Sequence, residues 1–517
     1  MCCLAPWESS AQIAAKPELP RTFLNTTYPV RTGRTITLLA RDDLQDALNK
    51  AKPGDEIVLP AGATYSGNFV LPRKPSAPGA SSADAVIVVR TSAVGALPAG
   101  RRVRPADTVA MARVMTPRNG AEAIGTAPGT SGWRLVGLEI TAAPSVTLIN
   151  RLVRFGDGSA AQSTLASVPS NLVLDRSYVH AGPQLDLRRC IDLQSASTAV
   201  IDSYVSGCHS ANGESQAIVG YNGPGPYKIV NNYLEASGEN LMFGGSDVSI
   251  PGQMPSDIEV RHNYFCKPLS WKLDEPTYAG AAYIVKNIFE LKMGQRVLVE
   301  GNVFENSWVQ GQVGFALLLK TANGQHLLTS DVTVRNNIIR GAAGGINIVG
   351  VDGMLSRISI DNNLLLDIGV RRWGDNGRLF QISNVNDLTI THNTGFSPGV
   401  LLGVEPPASR RLTFVGNVVS QGAYGVKSSG VLAGTASLAA AAPGYVFAGN
   451  VLIGGTSIVY PPGNFLEPDP SRVGFLNVRS EDFSLSRLSP FAKRAGDGTD
   501  PGIDRDALLR ATTGVKP

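Results

Sequence analysis

Short apolar stretches recur along this chain, each broken by an asparagine or a glycine and each alternating with the period of two that a strand requires. Between residues 227 and 320 one phrase occurs three times. Ile229-Val230-Asn231-Asn232-Tyr233-Leu234 is answered by Leu241-Met242-Phe243-Gly244-Gly245. Ile258 to Phe265, with Asn263 at its centre, is answered by Asn287-Ile288-Phe289-Glu290-Leu291-Lys292. Val297 to Phe304, centred on Asn302, is answered by the run from Phe315 to Lys320.

The asparagine slot continues at Asn337, Asn363, Asn393, Asn417 and Asn450, and upstream it holds Ser177, Ser203 and Leu138. Differences between neighbouring asparagine positions, from Asn232 on, run from 24 to 39 residues. A period in that range predicts a solenoid, and the absence of helical spacing makes it a β-solenoid. In such a stack the same turn returns every ~4.8 Å, so an asparagine amide is placed to bond the turns above and below. Asparagine also tolerates the left-handed backbone of a sharp turn.

The ends read differently. Residues 1–40 form an arm with little pattern. Residues 42–51 (DDLQDALNKA) predict a short helix with Leu44, Ala47 and Leu48 on one face, stopped by Pro53-Gly54. Placed before stacked strands, it covers an open solenoid end. The β-solenoid with this cap spans 41–463, residues 430–444 are expected as an alanine-rich loop, and 464–517 as an irregular C-terminal cap.

Composition narrows the partners. The 56 glycines suit an all-β chain with many tight turns. A formal charge of +4, with no basic block, argues against nucleic acid. No apolar run is long enough to span a membrane. The start, Met1 to Glu8, shows no recognisable signal peptide. The cysteines Cys2, Cys3, Cys190, Cys208 and Cys266 lack zinc-site spacing and read as buried thiols, with a Cys190–Cys208 bridge between neighbouring coils as the alternative. His180, His209, His262, His326 and His392 are scattered, with His262 and His392 as turn residues.

Three stretches resemble the right-handed parallel β-helix proteins of the pectate-lyase-like superfamily: DLQDALNKAKPGDEIVLPAGATYSGNFVLP, the asparagine row, and the ending DFSLSRLSPFAKRAGDGTDPGID. NGPGPYKIVNNYLEASGENLMFGG is similar to bacterial β-helix repeat proteins of unsettled activity. The resemblance implies an extracellular or periplasmic protein whose first sheet carries a substrate groove on its outer face. It places first-sheet strands at 153–157, 191–195, 217–222, 241–245, 287–293, 315–320, 346–350, 379–384, 400–405 and 425–428.

Alternation within those strands sends Phe289, Leu291, Phe315, Leu317 and Leu319 inward. It sends Arg154, Asp192, Gln194, Glu290, Lys292, Lys320, Asn347, Gln381, Ser383 and Lys427 outward, with Tyr221 beside them. Lys292 and Lys320, on successive coils, are expected within about 5 Å, each depressing the other's pKa so that one serves as a base. Glu290 would orient a lysine, and another register would set Lys320 beside Glu290. Trp271, Trp308 and Trp373 are expected to rim the groove as sugar platforms, with Lys272, Asp274 and Tyr278 in the long loop 266–285. Glu239 and Asp247 are the candidate calcium ligands.

The expected function is a polysaccharide lyase acting on an acidic, uronate-containing chain. The alternatives are a glycoside hydrolase, which needs two carboxylates across the sugar, and a non-catalytic sugar-binding or surface protein.

Overall fold

The computed structural model describes residues 14–75, 86–321, 328–351, 353–374, 377–455 and 457–517. Cys2, Cys3, the start read for a signal peptide, and His326 lie outside them. Three long parallel sheets run the length of a right-handed β-helix, with 12 strands in the first sheet and 14 in each of the others. One coil shows the pattern. Tyr227–Val230 lies in the second sheet, Tyr233–Ala236 in the third and Glu239–Phe243 in the first. Inward side chains of all three sheets meet in one continuous apolar core, among them Ile229, Leu234, Leu241, Phe289 and Leu317. That burial is the main force holding the coils together.

The asparagines occupy the turn from the second sheet to the third. Asn302 Nδ2 donates to Asn337 Oδ1 (3.0 Å) and to Val260 O (3.0 Å), while its own Oδ1 accepts from the backbone and side chain of Asn263. The same bonds link Asn232 to Asn263 and continue to Asn450, which donates to Asn464. Upstream, hydroxyls substitute: Asn232 Oδ1 accepts from Ser203 N, Ser203 Oγ from Ser177 N, and Ser177 Oγ from Leu138 N. The residue before the slot carries the turn: Asn231, His262, Asn336, Asn362 and His392 all have φ between 52° and 58°.

The helix Leu44–Lys50 is capped by Asp43, whose side chain accepts from Asp46 N, and it buries Leu44, Ala47 and Leu48. Residues 435–441, expected as loop, instead form a helix, Thr435–Ala441. Alanine is the best helix former, and Leu438 and Ala441, three apart, reach the core at the last strands of the first sheet.

The two termini run back along the solenoid. Backbone N–H groups of Ala15, Glu18 and Arg21 donate to the carboxylates of Asp387, Asp331 and Asp257 on the second sheet. At the other end, the helix Arg505–Thr512 packs Leu508 against Leu364 and Leu366, and Val515 sits among Tyr233, Tyr264 and Val303. Cys190 and Cys208 are joined by a disulfide, and Cys266 is a buried free thiol. Among the described residues no helix is long and apolar enough to cross a membrane.

Candidate functional site

Register decides which side chains share the outer face of the first sheet. Leu241 pairs with Phe289, and Phe289 with Leu317, so Met242, Glu290 and Leu318 form one outward row. Asn347 and Gln381 extend that row, and Lys427 stands in it two strands on. Glu290 therefore faces Leu318, not Lys320. Lys292 follows its strand, Phe289–Leu291, and its ammonium lies 2.6 Å from Glu290 Oε2. Leu291 pairs with Leu319, the register expected for Lys292 and Lys320 on successive coils; the ion pair Lys292 makes is with Glu290, and among the described residues Lys320 makes none.

Outward does not mean exposed. Asp192, Gln194, Glu239 and Glu290 are each 0% exposed. Alternation predicts a side chain's direction, but loops and neighbouring coils cover this part of the face. Asp192 is closed in by Arg151 at 2.7 Å and Arg189 at 3.8 Å, and burial pushes its carboxyl above the usual range against their pull. Gln194 donates to Asp192 Oδ1 and accepts from the N–H groups of Tyr221 and Asn222. These two residues are an internal brace, not a contact surface for substrate.

Next along the stack is a compact ionic cluster. Glu239 opens the strand Glu239–Phe243; its Oε2 accepts from Gln216 Nε2 (2.8 Å) and its Oε1 lies 3.6 Å from Lys286 Nζ. Lys286 also pairs with Glu214. Asn287 Nδ2 donates to Glu290 Oε1 (2.7 Å), while its own buried Oδ1 finds no hydrogen-bond partner among the described residues. Burial and the neighbouring Glu290 carboxylate push Glu239 up to about 7. Glu239 and Glu290 are fully buried, Lys292 and Lys286 reach the surface with side-chain exposures of 14% and 13%, and the Glu214 side chain is half exposed.

Beside this cluster lies a cleft of about 310 Å³, lined by Arg151, Arg188, Arg189, Gln216, Tyr221 and Met242 among others. The lining carries three guanidinium groups against the one carboxylate of Glu214, and although Arg151 and Arg189 also face Asp192, the net positive lining favours an anionic ligand, since arginine matches carboxylate geometry. None of these arginines, nor Lys286 and Glu214, was singled out by strand alternation. They stand at strand starts or in the turns before them, where the period of two has not yet begun. The Arg188-Arg189 doublet entering a strand is the signal that could have marked them.

The aromatic residues expected at the rim, Trp271, Trp308 and Trp373, line one cleft of about 340 Å³ together with Lys272, Asp274 and Tyr278, but they present little of their surface to it. Trp308 and Trp373 are buried, at 5% and 3% exposure, and pack with Val285 and Ala343. Trp373 Nε1 donates to Asp367. Trp271 is partly buried and stands edge-on to His209 and Tyr283. Lys272 is also buried and paired with Asp274. Apolar loop surface next to a solenoid is cheapest when folded onto itself, and these rings do that. Lys427 is bonded to the carbonyl of Val431, and buried Asn347 Oδ1 has no hydrogen-bond partner among the described residues.

The proposed calcium pair is not brought together by its surroundings: Glu239 is enclosed by Gln216 and Lys286, whereas Asp247 is exposed beyond the strand. Among the described residues no three His, Cys, Asp or Glu side chains are grouped to hold a metal ion. A larger cavity, about 770 Å³, lies elsewhere, between the turn residues Asn336, Asn362 and His392 and the C-terminal segment.

No protein-family model matches the chain, and no curated protein matches it. Solved structures do. A PL6 family alginate lyase, AlyGC, is similar at 12% identity over 93% of this chain and 59% of its own, with a TM-score of 0.45. An alginate lyase from Paenibacillus sp. str. FPU-7 shares 14% identity over 84% of this chain and 98% of its own, with a TM-score of 0.28. A tailspike protein of E. coli bacteriophage HK620, solved with a pentasaccharide, shares 13% over 82% and 64%, with a TM-score of 0.43. Likeness at this level carries no inference about chemistry, since one fold hosts many activities.

Proposed function

We propose that the first-sheet face binds an acidic polysaccharide in the arginine cleft and cleaves it by β-elimination at Lys292. The observation that carries this reading is the Lys292–Glu290 pair, at 2.6 Å, beside a wall of Arg151, Arg188 and Arg189. Arginines on the uronate carboxylate withdraw charge and acidify the proton at C5. Lys292 in its deprotonated form takes that proton, and the buried Glu290 carboxylate, 2.6 Å away, stabilises the ammonium as it forms, the role a buried acid plays behind a catalytic base. The C4–O bond breaks, a C4–C5 double bond forms, and the Lys292 ammonium returns the proton to the departing oxygen.

Calcium is assigned no step. Lys286 and Lys292 already stand against the Glu239 and Glu290 carboxylates, so a cation would have to displace an ammonium from either one. The disulfide supports an oxidising location outside the cytosol.

Incubation with a panel of uronate polysaccharides tests the reading. Ultraviolet absorbance from unsaturated ends is expected, in step with new reducing ends. Reducing ends without that absorbance would favour hydrolysis, which needs two carboxylates across the sugar. Neither signal on any substrate, with binding retained, would leave a binding protein.

A further inference from the structure

Behind the ionic cluster lies a lysine that the proposed chemistry does not use. Lys267 follows the third-sheet strand Tyr264–Cys266 and is 0% exposed. Its Nζ meets Ala236 O at 3.0 Å, Ser237 O at 3.1 Å, Asn240 Oδ1 at 2.9 Å, and Gly238 O. All four are acceptors. The amide of Asn240 is oriented by its NH₂ group, which donates to Leu234 O and Cys266 O, so its oxygen is the atom left for Lys267. A neutral amine has two hydrogens and a lone pair; an ammonium has three donors and suits an all-acceptor shell. Burial pulls the Lys267 amine down to about 7, and the carboxylates of Glu239 and Glu290 pull the other way.

Three of the four oxygens are consecutive carbonyls of one turn. That turn joins the third sheet to the first, and the residue it delivers is Glu239. It is packed from both sides: a Cβ on Gly238 would meet Ser215 O at 2.3 Å, and Ser237 O accepts from Lys286 N at 3.2 Å. Consecutive carbonyls aimed at one point repel each other unless a cation sits there, as in channels where carbonyl oxygens replace an ion's hydration shell.

We propose that Lys267 is a resident cation: its ammonium fills a four-oxygen cage and fixes the turn that aims Glu239, making it a positioning residue for the first-sheet site. The cage rests on geometry alone; the positioning role rests also on the function proposed above.

The test is cation-dependent melting of Lys267→Ala, in the chloride salts of ammonium, potassium and tetramethylammonium at equal ionic strength. With the side chain cut back, the cage is open to a small cation. The variant is expected to melt below wild type in tetramethylammonium and to regain at least half of the lost Tm in ammonium or potassium. Wild type and Lys267→Met, whose side chain fills the space without charge, should show no such preference. Equal melting of Lys267→Ala in all three salts overturns the cage. Should Lys267→Ala not fold, hydrogen exchange at residues 236–240 in Lys267→Met gives the answer: faster exchange than wild type is expected, and unchanged protection overturns the proposal. On a cleaved substrate, Lys267→Met should lower kcat about 10²-fold with KM near wild type, because a displaced Glu239 shifts the field on its neighbour Glu290, the carboxylate behind Lys292. A cation effect on melting with no turnover by wild type would sink the lyase reading and leave the cage standing.

Discussion

Glu290 Oε2 lies 2.6 Å from Lys292 Nζ, and the two residues are separated only by Leu291, whose side chain is in the core. One strand thus sends two outward side chains toward each other while its middle residue anchors them. Glu290 is fully buried and Lys292 is the member that reaches solvent, which sets the order of roles: the lysine meets a ligand, the carboxylate governs the lysine.

Lys292→Ala should lower turnover by about 10²–10⁴, the range for loss of a general base. Lys292→Arg should recover little, since arginine stays charged. Lys320→Ala, at a position that makes no ion pair among the described residues, should cost less than Lys292→Ala. Steady-state kinetics on the cleaved polysaccharide checks all three, and full activity in Lys292→Ala would remove the base from this residue.

Glu239 gives a pH signature. Its folded pKa is raised from 4.5 to about 7 by burial and by Glu290. Between those values the native state binds more protons than the unfolded state, so stability from this group is present below about pH 4.5 and is lost as pH rises toward 7. Chemical denaturation of wild type and Glu239→Gln across that window should show the decline in wild type and a flatter profile in the variant. Parallel profiles would mean Glu239 is not held protonated.

Asn302→Ala should destabilise by about 1–3 kcal/mol, because it strips Asn263 of its acceptor and leaves Asn337 Oδ1 with one donor fewer. Asn302→Ser should cost less, since Ser203 already serves in this slot. Denaturant midpoints distinguish them; equal midpoints for wild type and Asn302→Ala would show that the bond is not needed.

Trp308→Ala should act on stability rather than on sugar binding, at about 3–5 kcal/mol for loss of a buried tryptophan. The side chain is 5% exposed and packs with Val285, Ala343 and Trp373. A variant that melts like wild type but no longer binds oligosaccharide would return Trp308 to the groove.

The sequence by itself determined the architecture. An apolar phrase of period two, an asparagine or serine in one slot, and loops of variable length suffice for a parallel β-helix, because every coil obeys the same local rule. The direction of each strand side chain was legible for the same reason: Phe289 and Leu291 go in, Glu290 goes out. Tertiary structure alone decided what happens outside the strands. Loops buried Asp192, Gln194 and Glu290, folded Trp308 and Trp373 inward, and gathered Lys267, Lys286, Arg151 and Arg189 from separate coils around three carboxylates, Asp192, Glu239 and Glu290. Those contacts join residues dozens of positions apart through loops that share no period, so no pattern along the chain encodes them. They exist only once the coils are stacked and the charges must find partners away from water.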